Sequence, residues 1–502
     1  MNIKDYTIKY IRDHAILDGI CSSLNDEHMA ISQEVIDQTL FVYPKTIYIQ
    51  LEGMDIAGNV AQEHDEIVKF ARAVATYSAK NNFNLNMLLD LRSIQVLNES
   101  AFESLIQFLK GNEIETLIWA SIDLRNEMNT MLSATKVVTC YSENDVVNQL
   151  LETARRKTKT IILPENVTLE FIIERINQEV ERSSKGCALI SLDFRSTRVF
   201  NGFAVLLLSL VMLEFSKRFG VLWFIEHDEA ERHKLHKLES VGFFSLTKTI
   251  VLHEYEIEEY RDLNVFGAYE LNSDNFREIV QSFVKWIIDL RERFAAVLDE
   301  NISVMYENPH TSYKPSVRRL PKSYYIRRIA AELIENSILH SEGSAYFSAY
   351  VNADLLHIFV ADTGIGLGRG ILKNYRLGDK IKTDDDALHY AFQLHNFQDT
   401  RIGRQGYDIG AGYGLRETFE GIFTCSGKFA CKSGRSLGTF LNPVSRTSRT
   451  PKMNKYETSF ALDGVQYLIL IPLSSDGIQS LPRSSEKFLS GWSKNDYSIG
   501  NT

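Results

Sequence analysis

Glu332-Leu-Ile-Glu-Asn336-Ser-Ile-Leu-His340-Ser341 is the stretch of this 502-residue sequence that decides the fold of its C-terminal half. Apolar residues from Ile326 to Ile338 recur with nearly the 3.6-residue period of an amphipathic helix. Glu332 and Asn336 are four residues apart, so we expect them on one face of that helix. A carboxylate one turn from an amide oxygen suits the positioning of water and a hard cation such as magnesium.

A second informative segment is Asp362-Thr-Gly364-Ile-Gly366. It comes directly after the apolar run 355–361, which predicts a buried strand that ends at the aspartate. A carboxylate at a strand end can accept a hydrogen bond from the amino group of a base. The two glycines let backbone pass close to such a ligand.

The third segment is Gly410-Ala-Gly412-Tyr-Gly414-Leu415, which precedes a helical pattern. Backbone amides in a glycine-rich turn at a helix start form an anion site, and the helix dipole strengthens it. The long polar stretch 367–409 before it is predicted to be a lid over a bound ligand, with one short helix near 386–393.

The order and spacing of the three segments resemble the N, G1 and G2 boxes of the GHKL ATPases, a family that includes gyrase B, sensor histidine kinases and anti-sigma-factor kinases. The resemblance implies an α/β sandwich over residues 306–475, with helices on one face of a mixed sheet. It implies ATP and Mg2+ as cofactors. Glu332 would be catalytic, Asn336 would hold the Mg2+, and Asp362 would contact the adenine amino group. The other nucleotide-binding residues would be Gly364, Gly366, Gly410, Gly412, Gly414 and Leu415.

One edge of the expected domain departs from the family. The final strand of GHKL domains usually opens with Gly-Thr, whereas the best candidate here is Gly464-Val465. Residues 434–457, with five basic residues, are interpreted as an insertion before that strand. Gly438-Thr439 is the alternative pair, although it leaves room for only a very short strand.

The first half of the chain carries an internal repeat. Leu89 to Asn98 and Leu192 to Asn201 share the frame Leu-Asp-x-Arg-Ser-x-x-Val-x-Asn. In each copy an apolar strand pattern leads into the frame and a helical pattern follows it. Alternating strands and helices with short loops predict a mostly parallel sheet with helices against it.

This repeat resembles the STAS domain, the fold of anti-sigma-factor antagonists, over residues 43–155 and, with a weaker match, over residues 156–265. The turn that opens the following helix carries the phosphoacceptor serine in those antagonists. The first copy keeps a hydroxyl there, so Ser100 is a possible phosphoacceptor, although a place in a helix cap is the alternative. The second copy has none in Asn201-Gly-Phe-Ala.

Three remaining segments complete the predicted organisation. Residues 1–42 have helical periodicity and no motif. Residues 271–300 predict a long helix that either connects the two halves or forms a dimer contact. Residues 476–502 are rich in Ser, Gly and Lys and are expected to be a flexible tail.

Net charge, cysteine spacing and apolar run length limit the classes of protein to which this chain can belong. The net charge of −10 argues against a protein built around a nucleic-acid groove, so no nucleic-acid partner is expected. The five cysteines are scattered without metal-ligand spacing, which fits a reducing compartment. The longest apolar run is too short to span a bilayer. We therefore expect a cytoplasmic protein without a membrane partner.

Two functional classes fit these observations. The first is an ATP- and Mg2+-binding regulatory switch or Ser/Thr protein kinase of the anti-sigma type, whose STAS-like half binds a protein partner. The second is an ATP-hydrolysing conformational machine like MutL, with N-terminal partner-binding domains. Glu332 would act on an acceptor hydroxyl in the first class and on water in the second. A homodimer is compatible with both, and a sensor histidine kinase fits less well because no phosphoacceptor-histidine helix pair precedes the domain.

Overall fold

The computed structural model of the protein describes seventeen stretches of the chain, and the structural statements below refer to them. Strands and helices alternate through these residues, so the α/β class expected from the sequence is confirmed. The described residues are 10–12, 14–26, 39–50, 60–93, 107, 114–132, 137–227, 232–252, 264–306, 316–341, 343–352, 354–369, 382–393, 418, 421–440, 453–482 and 485–490.

The first unit, residues 10–156, is built on a six-stranded sheet. Its elements are β1 (Tyr10–Ile11), α1 (Ala15–Asp26), β2 (Thr39–Val42), β3 (Thr46–Gln50), α2 (Val60–Asn81), β4 (Asn86–Leu91), β5 (Glu115–Ala120), α3 (Arg125–Leu132), β6 (Val138–Cys140) and α4 (Glu143–Arg156). The strands lie in the order β1 to β6. Strands β3 to β6 are parallel, while β1 and β2 form an antiparallel edge.

The N-terminal segment differs from its expected helical form. Residues 1–42 contain helix α1, but β1 and β2 lie on either side of it and belong to the first sheet. Strand β2 pairs with β3 because a tight turn at residues 43–45 joins them directly. A strand of four residues is too short to give a clear periodic signal in the sequence.

The second unit, residues 158–252, repeats the parallel part of the first sheet. Its elements are β7 (Thr158–Ile162), β8 (Asn166–Val167), α5 (Leu169–Phe171), α6 (Asn177–Gly186), β9 (Leu189–Asp193), β10 (Val199–Phe200), α7 (Gly202–Phe219), β11 (Leu222–Glu226), α8 (Arg232–Ser240), α9 (Phe243–Thr247) and β12 (Val251–Leu252). Its four-stranded parallel sheet has the order β7-β9-β11-β12, which corresponds to β3-β4-β5-β6.

The Asp-x-Arg part of the shared sequence frame, which is described in both copies, makes the same local structure in both units. In the first, Asp90 accepts hydrogen bonds from the Arg92 backbone nitrogen at 3.0 Å and from its guanidinium at 2.6 Å. In the second, Asp193 accepts the same pair from Arg195 at 2.9 and 2.6 Å. The Asp-x-Arg sequence therefore fixes the turn at the end of the central strand in each sheet.

The C-terminal unit combines a five-stranded sheet with a layer of helices. Its elements are β13 (Val265–Leu271), α10 (Phe276–Leu298), β14 (Asn301–Tyr306), β15 (Ser316–Pro321), α11 (Lys322–Ser341), β16 (Ala345–Asn352), β17 (Leu355–Asp362), α12 (Asp384–Gln393), β18 (Lys428–Phe440), β19 (Met453–Pro472), α13 (Ser475–Ser480) and α14 (Ser485–Ser490). The strand order is β13-β16-β17-β19-β18.

Each described pairing in this sheet is antiparallel, whereas the resemblance implied a mixed sheet. The tight turn at Asp354 and the β18–β19 pairing explain this, because hairpins join antiparallel neighbours.

Helix α10 belongs to the C-terminal unit and is not a separate connector. Strand β13, which precedes it, pairs with β16 of the C-terminal sheet. The apolar face of α10, including Phe283, Ile287 and Phe294, lies in one core with α11 and the sheet. Amphipathic periodicity predicted the helix, but it does not indicate which neighbour the apolar face contacts.

Two further segments differ from their sequence interpretation. The ends of residues 434–457 lie in strands β18 and β19, so the interpretation of this segment as an insertion is wrong at both ends. In the expected flexible tail, α13 and α14 are ordered helices, and Phe488 and Leu489 are buried in a core with the second unit. Sparse apolar residues in a Ser- and Lys-rich stretch gave no periodic signal.

None of the described helices is long and apolar enough to cross a membrane.

The C-terminal sheet has one face on its own helices and the other on the second unit. Alternate residues along β17 separate the two sides: Val360 lies in the core with α10 and α11, whereas Phe359 lies in a core with α7. At this seam the Ser348 hydroxyl donates to the carbonyl of Val241 at 3.1 Å. Gly242 lies so close to β13 that an added Cβ would be 2.0 Å from the Cβ of Ala268.

Candidate functional site

Helix α11 carries Glu332 toward the surface. Its apolar residues Ile329, Leu333 and Ile334 are buried against the sheet and fix the rotation of the helix. The Glu332 side chain is 30% exposed, and its Oε1 lies 3.9 Å from Nε of Arg328 one turn earlier. This exposed pair is too loosely associated to hold the carboxylate rigidly, so Glu332 is accessible to a ligand.

Asn336 is one turn further along α11. Its Nδ2 atom is shielded from solvent and has no hydrogen-bond partner among the described residues. A buried amide without a partner costs stability unless a ligand satisfies it. Half a rotation about the Cβ–Cγ bond lets the amide present either its nitrogen or its oxygen.

Asp362 is the buried centre of the site. It is 4% exposed at the end of β17, and its Oδ1 accepts a hydrogen bond from the Gly364 backbone nitrogen at 3.0 Å. Burial raises the pKa of Asp362 to about 7, although backbone hydrogen bonds from Gly364 and Val465 oppose the rise. The carboxyl group is therefore balanced between its neutral and charged forms near neutral pH.

Gly464 makes this burial possible. Its φ is +80°, and an added Cβ would lie 1.9 Å from the carbonyl oxygen of Asp362 and 2.4 Å from its Oδ1. A side chain at this position would displace the Asp362 backbone. Gly464-Val465 is thus the pair that lies beside Asp362, whereas Gly438 pairs with Lys455 in another part of the hairpin.

The turn after Asp362 is anchored on strand β18. Gly366 has a φ of +74°, and the next backbone nitrogen, that of Leu367, donates to the Ser433 hydroxyl at 3.1 Å. Ser433 is fully buried and is the cross-strand partner of Val465. Sequence reasoning missed Ser433, because the strand register that brings it to the turn is not visible in local sequence.

The C-terminal end of α11 lies against the same turn. An added Cβ on Gly343 would be 2.9 Å from the Gly364 backbone. The Thr363 backbone nitrogen donates to the carbonyl of Ser344 at 2.9 Å. The helix that carries Asn336 therefore ends at the turn that follows Asp362.

Helix α12 begins close to this turn, in the stretch predicted to be a lid with a short helix. Asp384 accepts a hydrogen bond from the Arg435 backbone nitrogen at 3.2 Å, at an irregularity in β18. An added Cβ on Gly368 would be 3.7 Å from an Asp384 oxygen. Lys455 pairs with Asp385 at 2.6 Å. These contacts hold the first turn of α12 beside the site.

Glu332 and Asn336 thus lie on α11, which packs against β17, while Asp362, Gly364 and Gly366 lie at the C-terminal end of that strand and in the turn after it. The other nominated residues, Gly410, Gly412, Gly414, Leu415 and Ser100, lie outside the described residues.

The magnesium ion that the sequence resemblance implies would draw few of its ligands from the described residues. Over the described residues, no three His, Cys, Asp or Glu side chains are grouped as in a protein-held metal site. Mg2+ commonly keeps several waters and binds one or two protein oxygens together with substrate phosphates. The half-buried amide of Asn336, whose Nδ2 has no partner among the described residues, could supply one such ligand through its oxygen, which half a rotation of the amide exchanges with Nδ2.

No protein-family model matches the chain, and no curated protein matches it either.

Proposed function

We propose that the C-terminal unit binds ATP with Mg2+ in the manner of the GHKL ATPases and that the protein is a nucleotide-dependent regulatory switch or a Ser/Thr protein kinase of the anti-sigma type. The two parallel-sheet units are proposed to be STAS-like modules, of which the first binds a protein partner. The fold is then a GHKL α/β sandwich preceded by two STAS-like domains.

The observation that carries the proposal is the environment of Asp362. A carboxyl group is buried at a strand end, held by the Gly364 turn, and covered by Gly464, which leaves no space for a side chain. Burying an ionisable group in this way is costly unless a ligand or a proton satisfies it. An exocyclic amino group of a base is such a ligand, because it donates hydrogen bonds that a carboxylate accepts.

The residues of α11 complete the proposed site. Asn336 would hold the Mg2+, whose chemistry is to neutralise and orient the phosphates. Glu332 is accessible on the same helix face, where it can position or deprotonate the acceptor of a phosphoryl group. The glycines 410, 412 and 414 would supply backbone amides to the phosphates.

The packing of the second unit supports a regulatory role for the parallel-sheet units. The Asn201 side chain accepts hydrogen bonds from Phe203 and Ala204 nitrogens at 2.9 and 3.1 Å, which caps α7. The ring of Phe203 in this turn lies 5.3 Å from that of His357 on β17. The helix-opening turn of the second unit is therefore occupied by the C-terminal sheet. The corresponding turn of the first unit is the proposed site for another protein.

The binding experiment uses the full-length chain and Mg·ATP in isothermal titration calorimetry. Asp362→Asn should weaken binding about tenfold or more, because the amide lacks the charge and offers a donor where an acceptor is needed. Asn336→Ala should weaken the magnesium-dependent part of the affinity. Glu335→Ala is the matched control, because Glu335 is exposed on the same helix. Unchanged affinity in both site variants would refute the nucleotide site.

A second experiment identifies the reaction. The chain is incubated with γ-labelled ATP, and free phosphate is separated from phosphoprotein. Glu332→Ala should keep nucleotide binding and lose turnover by about 10²–10⁴-fold, the usual contribution of a positioned base. Labelled protein supports the kinase, free phosphate supports the ATP-hydrolysing alternative, and binding without turnover leaves a nucleotide-sensing switch.

A further inference from the structure

Lys432 is a buried lysine behind the Asp362 site. It is 1% exposed, and its cross-strand partner Gln466 is fully buried. Residues two apart on a strand share a face. Ala430 lies in the core shared with the second unit, so Lys432 is directed to the side of the sheet opposite Asp362. Its Nζ donates to the carbonyl of Gly434, at the irregularity in β18.

The same irregularity holds the first turn of helix α12. Gly434 has a φ of +54°, and an added Cβ there would lie 1.8 Å from Oδ2 of Asp384. Burial lowers the pKa of Lys432 to about 7, while the charges of Asp384, Asp463 and Cys431 oppose this fall. The buried Lys432 ammonium is thus attracted by two carboxylates on different elements, Asp384 on α12 and Asp463 on β19.

The second of these carboxylates, Asp463, lies in a bulge of β19 at residues 462–464, where the pairing with β18 shifts register. The Gln466 amide donates to the carbonyl of Asp463 at 3.0 Å and to that of Asp362 at 3.3 Å. Gly464, next in the chain, is in contact with Asp362. On the other side, Glu214 of helix α7 faces this bulge: burial raises the pKa of Glu214, and the charge of Asp463 adds to the rise.

Lys217 and Arg218 are the cations of α7 that oppose this rise for Glu214. The charged and titratable groups around Lys432 therefore come from α12, from β18 itself, from the 462–464 bulge of β19 and, through Asp463, from α7 of the second unit.

We propose that Lys432 is a positioning residue that holds the 462–464 bulge of β19 and the start of α12 in place around Asp362, and so links nucleotide binding to the docked second unit. This inference rests on the proposed nucleotide function. The protonated amine donates to the Gly434 carbonyl and attracts Asp384 and Asp463, which are attached to the two segments that border the site. Loss of this charge loosens both segments and lowers the affinity for nucleotide without removing a group that touches it.

The test compares Lys432→Met with the wild-type chain in full length, with Mg·ADP as the probe, from pH 6 to pH 9. Methionine keeps the apolar volume and removes the charge. We expect roughly tenfold weaker binding near pH 6, in the range of ordinary coupling between sites. We also expect the ratio of wild-type to variant affinity to fall toward one as pH rises through about 7, where Lys432 itself loses its proton. A purely structural role would leave this ratio independent of pH.

Lys428→Met is the matched control. Lys428 lies on the same strand and donates to the carbonyl of Pro482 at 2.6 Å, but it is remote from Asp362 along the strand. This variant should keep the wild-type affinity and pH profile. If Lys432→Met does not fold, Asp384→Asn carries the test, because it removes the carboxylate that Lys432 attracts while keeping its size. It should give the same loss of affinity and the same flattening above pH 7.

The outcomes separate this inference from the proposed function. Wild-type nucleotide binding with an unaltered affinity and pH profile in Lys432→Met and Asp384→Asn would overturn the role of Lys432 alone. No nucleotide binding by the wild-type chain would overturn both proposals. Weakened binding with the predicted pH-dependent ratio supports both.

Discussion

A buried carboxyl group that titrates near neutrality gives the site a pH dependence of its own. In the proposed nucleotide site the adenine amino group is the donor, and the charged form of Asp362 would be its acceptor. Burial holds the pKa of Asp362 at about 7 in the free protein. At a pH below this pKa most molecules carry a protonated Asp362. The nucleotide would then bind only the minority with a charged carboxylate, or its binding would have to displace the proton.

Nucleotide affinity should therefore depend on pH through Asp362. The ratio of wild-type to Asp362→Asn affinity should rise about tenfold between pH 6 and pH 8, because the charged fraction of a group with a pKa of about 7 rises about tenfold over that interval. Taking the ratio to the asparagine variant cancels titration of the phosphates and of Lys432. Fluorescence anisotropy of a labelled ADP would measure it, and a flat ratio would contradict the assigned role.

At the scale of elements, the sequence was informative where one segment determines its own structure. The strand predicted from the apolar run before Asp362 is confirmed as β17, and the helix around Glu332 is confirmed as α11. The helix predicted over 271–300 is confirmed as α10 (Phe276–Leu298). Periodicity and strand-end residues are local properties, so a single segment suffices to detect them.

The sequence was uninformative where distant segments meet. Ser433 and Lys432 reach the Asp362 region only through the register of β18 with β19. A glycine is needed at position 464 because the backbone of Asp362, on β17, lies in van der Waals contact with it. Strand β13 pairs with β16 across the long helices α10 and α11. Such pairings depend on tertiary packing, which local pattern does not encode.

The burial of helix α14 was not expected from the amino-acid composition of the tail, and its contribution to stability can be tested. Phe488 is fully buried in the core shared with the second unit, whereas its neighbour Lys487 is exposed. Phe488→Ala should lower the unfolding free energy by about 3–5 kcal/mol, the usual cost of removing a buried phenylalanine. Lys487→Ala should change it by less than about 0.5 kcal/mol. Urea unfolding followed by circular dichroism would compare them, and equal midpoints would show that α14 adds no stability.

At the scale of the whole molecule, a buried lysine joins the first two units. Lys45 of the first unit is fully buried, and its Nζ donates to the carbonyls of Ser184 and, at 2.9 Å, Lys185 at the end of α6. Its backbone nitrogen donates to the carbonyl of Gly220 at 2.9 Å. A cation at a helix C-terminus satisfies carbonyls that have no partner within the helix.

Lys45 should also give the assembly a measurable pH dependence. Burial lowers the pKa of Lys45 in the folded chain to about 7, whereas the unfolded chain keeps the ordinary value near 10.4. Between these values the unfolded state binds more protons, so this group adds stability as pH rises. The excess stability of wild type over Lys45→Met should therefore grow from pH 7 to pH 9.

Thermal unfolding at several pH values would measure this difference. Lys185→Met is the control, because it removes an exposed neighbouring lysine and should leave the pH slope of stability as in the wild type. A difference between wild type and Lys45→Met that stays constant with pH would contradict a titrating Lys45 at this junction.

The close approach of Gly242 to β13 limits how this molecule can move. At that point an added Cβ would also lie 3.1 Å from the backbone of Ala268, so the second unit and the C-terminal sheet meet backbone against side chain with no intervening layer. Surfaces packed so closely do not slide past one another by small steps, because packed interiors resist continuous deformation. The second unit and the sheet should therefore move as one rigid body in the proposed nucleotide cycle. Among the described parts of the chain, the segments around the site and the first unit are then the ones left to change position relative to this body.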